Sequence, residues 1–130
     1  MFCADTSCWI LYLAGESGDD TQLIDDSLRF RSIVMCPPVL TELLSDPLRS
    51  LEARKSLLNI PLLELESGFW ERAGLARAQL LKHNVKPKLA DTLIAQVCID
   101  HRVPLHSRDR GFRPFAQYAG LQLVLHGIVN

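Results

Sequence analysis

Apolar residues along this chain keep changing their spacing, and each change marks an element. MFCAD at the start is apolar without alternation and reads as a short buried strand ending at Asp5. Ser7 can then cap a helix over CWILYLA, which Gly15 stops. DDTQLIDDSLRF has helical spacing at Leu23, Ile24 and Leu28, SIVMC gives a second strand, and Pro37 and Pro38 open a helix striped by Val39, Leu40, Leu43 and Leu44. Glu42 lies between those pairs, near the helix start. Asp46 and Pro47 break this helix, another helical run reaches Asn59, and IPLLEL is a third short strand. FWERAGLARAQLLKH repeats apolar residues at 70, 73, 76 and 80, KLADTLIAQVCIDHR forms a long helix, and PLHS and LQLVLH supply the last two strands.

Strands that are apolar throughout and separated by helices belong in a mostly parallel sheet covered on both faces. The expected fold is therefore α/β, a three-layer α/β/α arrangement, and ligands in such sheets bind beyond the carboxyl ends of the strands. At 130 residues the chain is expected to form one domain, 1–130, with a single core. A composition 48% hydrophobic and 22% charged excludes a disordered or low-complexity chain. No apolar run approaches the roughly 20 residues of a membrane span, and MFCADTSCWILYLAG lacks the basic start of a signal peptide, so a cytoplasmic protein is expected. Cys3, Cys8, Cys36 and Cys98 all sit in apolar segments without a C-x-x-C pair, which favours buried free thiols over zinc or disulfides.

Charge changes the picture through its distribution. The net charge is −1, yet residues 1–66 hold 11 acids and 5 bases, while residues 67–130 hold 4 acids and 9 bases. Bulk electrostatics will not hold a nucleic acid, but a local basic surface in the second half can.

KLADTLIAQVC, residues 88–98, places one carboxylate, Asp91, in an otherwise small and apolar helix. Three more acids stand where a core has no use for them: Asp5 and Asp109 after strands, and Glu42 early in the proline-started helix. Taken singly, each also reads as a turn residue or a favourable charge at a helix start. Glu42 and Asp91 sit in the first turns of helices expected to begin near the same sheet edge, so the geometry could bring all four together, where carboxylates would repel and bind protons unless a cation compensates them. All-oxygen ligands select a hard ion such as Mg²⁺ or Mn²⁺, which can activate water and polarise a phosphodiester.

The segments ADTSCWI at 4–10, PPVLTELLS at 37–45, LADTLIAQVC at 89–98 and LHSRDRGF at 105–112 carry a resemblance that spans nearly the whole chain. In content and order they resemble the PIN-domain ribonucleases, most closely the VapC-type toxins of bacterial toxin-antitoxin pairs. The resemblance implies a Mg²⁺- or Mn²⁺-dependent endoribonuclease with Asp5, Glu42, Asp91 and Asp109 as metal ligands. It also implies that Ser7 and Ser107 hold those ligands or a substrate phosphate, and that the chain forms a homodimer silenced by a VapB-type antitoxin. One departure is Gly111, which stands where many relatives have a further acid and leaves a second metal short of a ligand. Arg108, Arg110 and Arg113 flank the site in sequence and suit bidentate contacts to RNA phosphates.

Other classes fit less well. A receiver-type signalling domain needs an acidic pair at the first strand and a phosphoacceptor Asp after a middle one, which ADTS and LLELES do not supply. A Ser-His-Asp hydrolase lacks its G-x-S-x-G elbow. A non-toxin PIN nuclease or a catalytically silent RNA-binding module of the same fold remains as the alternative. His83, His101, His106 and His126 show no ligand spacing and are expected to take no catalytic part.

Overall fold

A computed structural model describes residues 1–127, so the last three residues of the expected domain lie outside the described range. Within it, β1 is Cys3–Ala4, α1 Thr6–Leu13, α2 Asp19–Phe30, α3 Pro37–Leu44 and α4 Leu51–Leu58. They are followed by α5 at Phe69–Lys82, α6 at Leu89–His101, β2 at Leu105–Ser107, a 3₁₀ turn at Arg110–Phe112, α7 at Arg113–Tyr118 and β3 at Leu123–Leu125.

The three strands are parallel in the order β1, β2, β3, with Cys3 opposite Leu105 and Leu105 opposite Leu123. Single parallel bridges extend this ladder beyond β1, from Phe2 to Ile33 and from Met35 to Leu62. The expected strands SIVMC and IPLLEL are therefore present as extended segments joined at one residue pair each, not as regular strands. Along the sheet, chain order runs outward from β1 in one direction through Ile33 and Leu62, and in the other through β2 and β3. The order thus reverses between β1 and β2, the switch point beside which ligands bind in doubly wound sheets.

Local chemistry explains the helix positions. Pro37 and Pro38 occupy the first turn of α3, where a missing N–H costs nothing. Arg31 and Arg102 adopt left-handed conformations that terminate α2 and α6, a role more often taken by glycine. The cap of α1 is Asp5, which accepts from the Cys8 N–H at 3.0 Å. Ser7, expected to be the cap, lies inside the first turn, because Asp5 ends its strand one residue before the helix starts. Glu42 falls in the second turn of α3, too far along to be only a helix-start charge. Pro114 in the first turn of α7 marks a helix that the apolar spacing alone does not reveal.

The core gathers Trp9, Ile24, Met35, Leu43, Leu57, Leu80, Ile94, Leu105, Phe112 and Phe115, each under 2% exposed. Burying such a side chain contributes about 1.5 to 3 kcal/mol. From Thr92 to Cys98, α6 buries every residue except Leu93, as befits a helix covered on most sides. Arg72 on α5 donates to both oxygens of Asp100 on α6, at 2.9 and 2.7 Å. All four cysteines are buried and free, as their apolar settings imply. On α5 the buried stripe is Phe69, Ala73 and Leu80, while Trp70 points outward with 66% of its surface exposed.

Candidate active site

A pocket of about 270 Å³ opens at the switch point, lined by Asp5, Glu42, Asp91 and Asp109 together with Thr6, Ser7, Lys88 and Phe112. The four acids picked out in the sequence are thus brought to one place by four different elements. A larger recess of about 540 Å³ lies elsewhere, among Leu28, Arg31, Ile33, Ile60 and Pro61, and no acid or histidine lines it.

Asp5 is 3% exposed and fully engaged. Its Oδ1 accepts from the Ser7 hydroxyl at 2.7 Å and the Cys8 N–H, and its Oδ2 accepts from the Ser107 hydroxyl at 2.5 Å. Ser107 accepts in turn from the Asp109 N–H at 2.8 Å. Asp109 is exposed and accepts from the Gly111 N–H at 2.8 Å. A Cβ at Gly111 would stand 3.0 Å from Asp109 Oδ1 and 3.6 Å from Asp91 Oδ2, so this glycine backs directly onto two of the acids. Glu42 accepts from the Thr6 hydroxyl at 2.6 Å. Thr6 and Lys88 are pocket residues that sequence reasoning missed; ADTS offered Thr6 no distinction from an ordinary helix-start threonine.

Asp91 differs from Asp5 in having no hydrogen-bond donor among the described residues. Burial, followed by the charge of Asp109 and then those of Glu42 and Asp5, pushes its carboxyl up to about 6, against an opposing pull from Lys88. Two carboxylates near each other in a low-dielectric pocket cannot both ionise freely.

The donor set suits a hard cation. Every acidic ligand offers oxygen, the nearby hydroxyls do likewise, and no thiol or imidazole lines the pocket. Among the described residues no three His, Cys, Asp or Glu side chains close around a common point.

The three arginines lie to one side, around a second recess of about 370 Å³ with Leu125 and His126. Arg110 and Arg113 are exposed there. Arg108 is committed inward: its Nε and Nη2 donate to the two oxygens of Asp20 at 2.6 and 2.7 Å, and the Asp20 side chain is 2% exposed. The Arg108 guanidinium holds the Asp20 carboxyl well below its ordinary range, at about 2. The phosphate-gripping role expected of Arg108 is therefore limited by a structural pairing, since its bidentate edge is already taken. Nothing in the sequence distinguishes Asp20 from its neighbour Asp19, which is exposed. His106 and His126 face each other at 2.7 Å on β2 and the segment after β3, outside the acid pocket.

A carboxylate-lined pocket at the switch point of a parallel sheet is the mark of an acid-centred α/β domain. The PIN domain model matches residues 2–119, and the chain belongs to that family. No curated protein sequence matches it significantly. Among solved structures it resembles VapBC2 from Rickettsia felis bound to a DNA fragment from its promoter, with TM-score 0.74 and 15% identity over 95% of this chain and 97% of that one. It also resembles VapBC-5, of a toxin-antitoxin family, from Mycobacterium tuberculosis (TM-score 0.67, 17% identity, 95% and 97% covered). A third is FitAcB from Neisseria gonorrhoeae (TM-score 0.68, 17% identity, 95% and 96% covered). At these identities the likeness is one of fold.

Replacing Asp20 with Asn leaves Arg108 without its countercharge and should destabilise the protein by about 3 kcal/mol, the cost of breaking a buried pair. Because the folded-state pKa is depressed, the Asp20 contribution is present above the ordinary value of 3.8 and disappears as pH falls toward about 2. Urea titrations should therefore show a deficit at pH 7 that narrows at pH 3; equal stability at pH 7 would contradict the pairing.

The sign is opposite for Asp91. Its folded-state pKa is raised, so its protonated form adds stability at low pH that is lost as pH climbs from about 4 through about 6. In EDTA at pH 7.5, Asp91→Asn should melt at the same temperature as the parent or higher, with the gap closing at pH 4. A variant that melts lower at pH 7.5 would show Asp91 to be only a helix-start charge, whose loss costs about 0.3 to 1 kcal/mol.

Proposed function

We propose that this chain is a Mg²⁺- or Mn²⁺-dependent endoribonuclease, the VapC-type toxin of a toxin-antitoxin pair, acting in the cytoplasm. The observation that carries this reading is the convergence of Asp5, Glu42, Asp91 and Asp109 on one pocket, with oxygen donors alone and an uncompensated carboxylate among them. A buried carboxylate with a raised pKa, crowded by other acids, is a mark of functional sites because stability alone does not select it.

Asp5, Glu42, Asp91 and Asp109 would hold the ion, which when bound supplies charge neutralisation and polarises a water and the scissile phosphodiester for in-line hydrolysis. The chain's own groups do the rest. Ser7, Ser107 and the Cys8 N–H fix both oxygens of Asp5, so its orientation costs little reorganisation. Thr6 orients Glu42. Lys88 at the pocket wall and exposed Arg110 and Arg113 beside it are placed to take flanking phosphates, where they offset the repulsion between an acidic site and a polyanion. The four acids make a catalytically silent RNA-binding module the weaker reading, since binding alone needs no carboxylates.

The partner assignments rest on likeness. The fold is shared with VapBC structures, one of them from a family of toxin-antitoxin systems, which supports a VapB-type antitoxin carrying a segment that approaches the acid pocket; the homodimer is carried over from the resemblance to VapC-type toxins.

Single-stranded RNA incubated with the purified protein should be cut in Mg²⁺ or Mn²⁺, left intact in EDTA, and cut again when Mn²⁺ is restored. Asp5→Asn should lower the rate at least a hundredfold, because removing a preorganised charge from such a site costs about 10² to 10³ in rate. Full cleavage in EDTA, or by the Asn variant, would remove the metal mechanism; binding without cleavage in any metal would favour the silent module.

A further inference from the structure

The acid pocket does not end at Glu42. Glu42 and Ala90 also line a second recess of about 360 Å³, walled by Pro37, Pro38, Leu65, Phe69, Trp70 and Leu93 and almost wholly apolar. It runs between α3 and α5 over the start of α6. Trp70 and Leu93 continue into a third depression beside Gly74 and Leu89. Phe69, 2% exposed, meets Trp70 edge to face at 5.0 Å and 82°, while Trp70 itself keeps 66% of its surface exposed.

We propose that this groove is a nucleobase subsite, in which a base next to the scissile phosphate stacks on Trp70. The inference rests on the ribonuclease reading and adds the part of the substrate that the acids do not address. An acidic pocket gains little from an incoming phosphodiester and must be supplemented by interactions indifferent to charge. Stacking on an aromatic ring is such an interaction, open to any unpaired base because each presents a π-face. The groove is continuous with the pocket through Glu42, so a nucleotide can place its phosphate at the acids and its base at Trp70 without spanning a gap. Proline rings and aliphatic carbons form the remaining walls, which shield a stacked base from water. Thr41 and Glu42 at the rim can accept hydrogen bonds from base edges. The subsite therefore requires single-stranded RNA, since a paired base cannot leave its stack to enter.

Trp70 can report on its own contact, because the other tryptophan, Trp9, is 1% exposed. In EDTA, with the Asp5→Asn protein to prevent cleavage, a short single-stranded RNA of mixed sequence should quench tryptophan fluorescence, and an abasic RNA of the same length should not. Trp70→Ala should weaken RNA binding between about 5- and 150-fold by electrophoretic shift, Trp70→Phe should retain most of the affinity, and Leu75→Ala, an exposed residue on the same helix outside the groove, should change nothing. In the active protein Trp70→Ala should raise KM by a similar factor and alter kcat less. Equal quenching by abasic RNA, no quenching at all, or unchanged affinity in Trp70→Ala would overturn the subsite. Unchanged RNA affinity with a lower oligomeric mass by light scattering would overturn it in favour of a protein-docking face. Base-dependent quenching in a protein that cuts no RNA in Mn²⁺ would uphold the subsite and reject the nuclease reading.

Discussion

One buried carboxylate organises the functional edge of this fold. Asp5 ends β1, caps α1, and receives the hydroxyl of Ser107 from the end of β2. A charge with 3% exposure would be costly without partners, but three donors satisfy it, and charge-assisted bonds of this kind are the stronger ones. Ser107 then relays the constraint, since the same hydroxyl accepts from the Asp109 N–H. The first and fourth acids are thereby linked through a single oxygen, and on the proposed reading Ser107 would be a positioning residue.

Asp91 shows what the same edge does without such partners. Its helix is the most deeply buried in the molecule, with Ile94, Ala95, Val97 and Cys98 nearly inaccessible, so the backbone position of Asp91 is dictated by packing several residues further on. Burial first, and the neighbouring charge of Asp109 second, make this carboxyl hold its proton more tightly. On the metal-dependent reading proposed above, a packed core that imposes this charge arrangement would leave the site ready for a cation; a looser helix start would let the side chain turn to solvent.

Much of this was legible in the sequence. All the helices except α7 were found closely because their apolar spacing and proline starts are local signals, and the four acids stood out because two sit in apolar helices and two follow apolar strands. Strand regularity was less legible: SIVMC and IPLLEL are apolar enough for strands, yet pairing depends on neighbours, and each keeps one bridge. Ser7 and Asp5 are both competent caps, and only the strand end decided between them. Arg108 was misjudged for a different reason, since a guanidinium that suits a phosphate suits a buried carboxylate equally, and Asp20 comes to it from 88 residues away. Trp70 was assigned to the helix stripe because periodicity places it one position from Phe69; whether an aromatic lies in the core or on the surface there is a matter of a third of a turn.

Charge and shape together give the edge a direction. Along the sheet, the arginine recess lies beyond β2 toward β3, the acids lie between β1 and β2, and the Trp70 groove lies past α3 toward Leu62 and Leu65. A polyanion approaching the acids alone meets repulsion; one that also reaches Arg110 and Arg113 on one flank and an apolar wall on the other gains on both sides of the unfavourable centre. If the proposed contacts form, neither flank would hold RNA alone, because two exposed arginines are screened by salt and a lone stacked base is worth too little. On the ribonuclease reading proposed above, binding that requires both flanks would lay the RNA across the acids, so the repulsive centre would become the point through which a well-held strand has to pass.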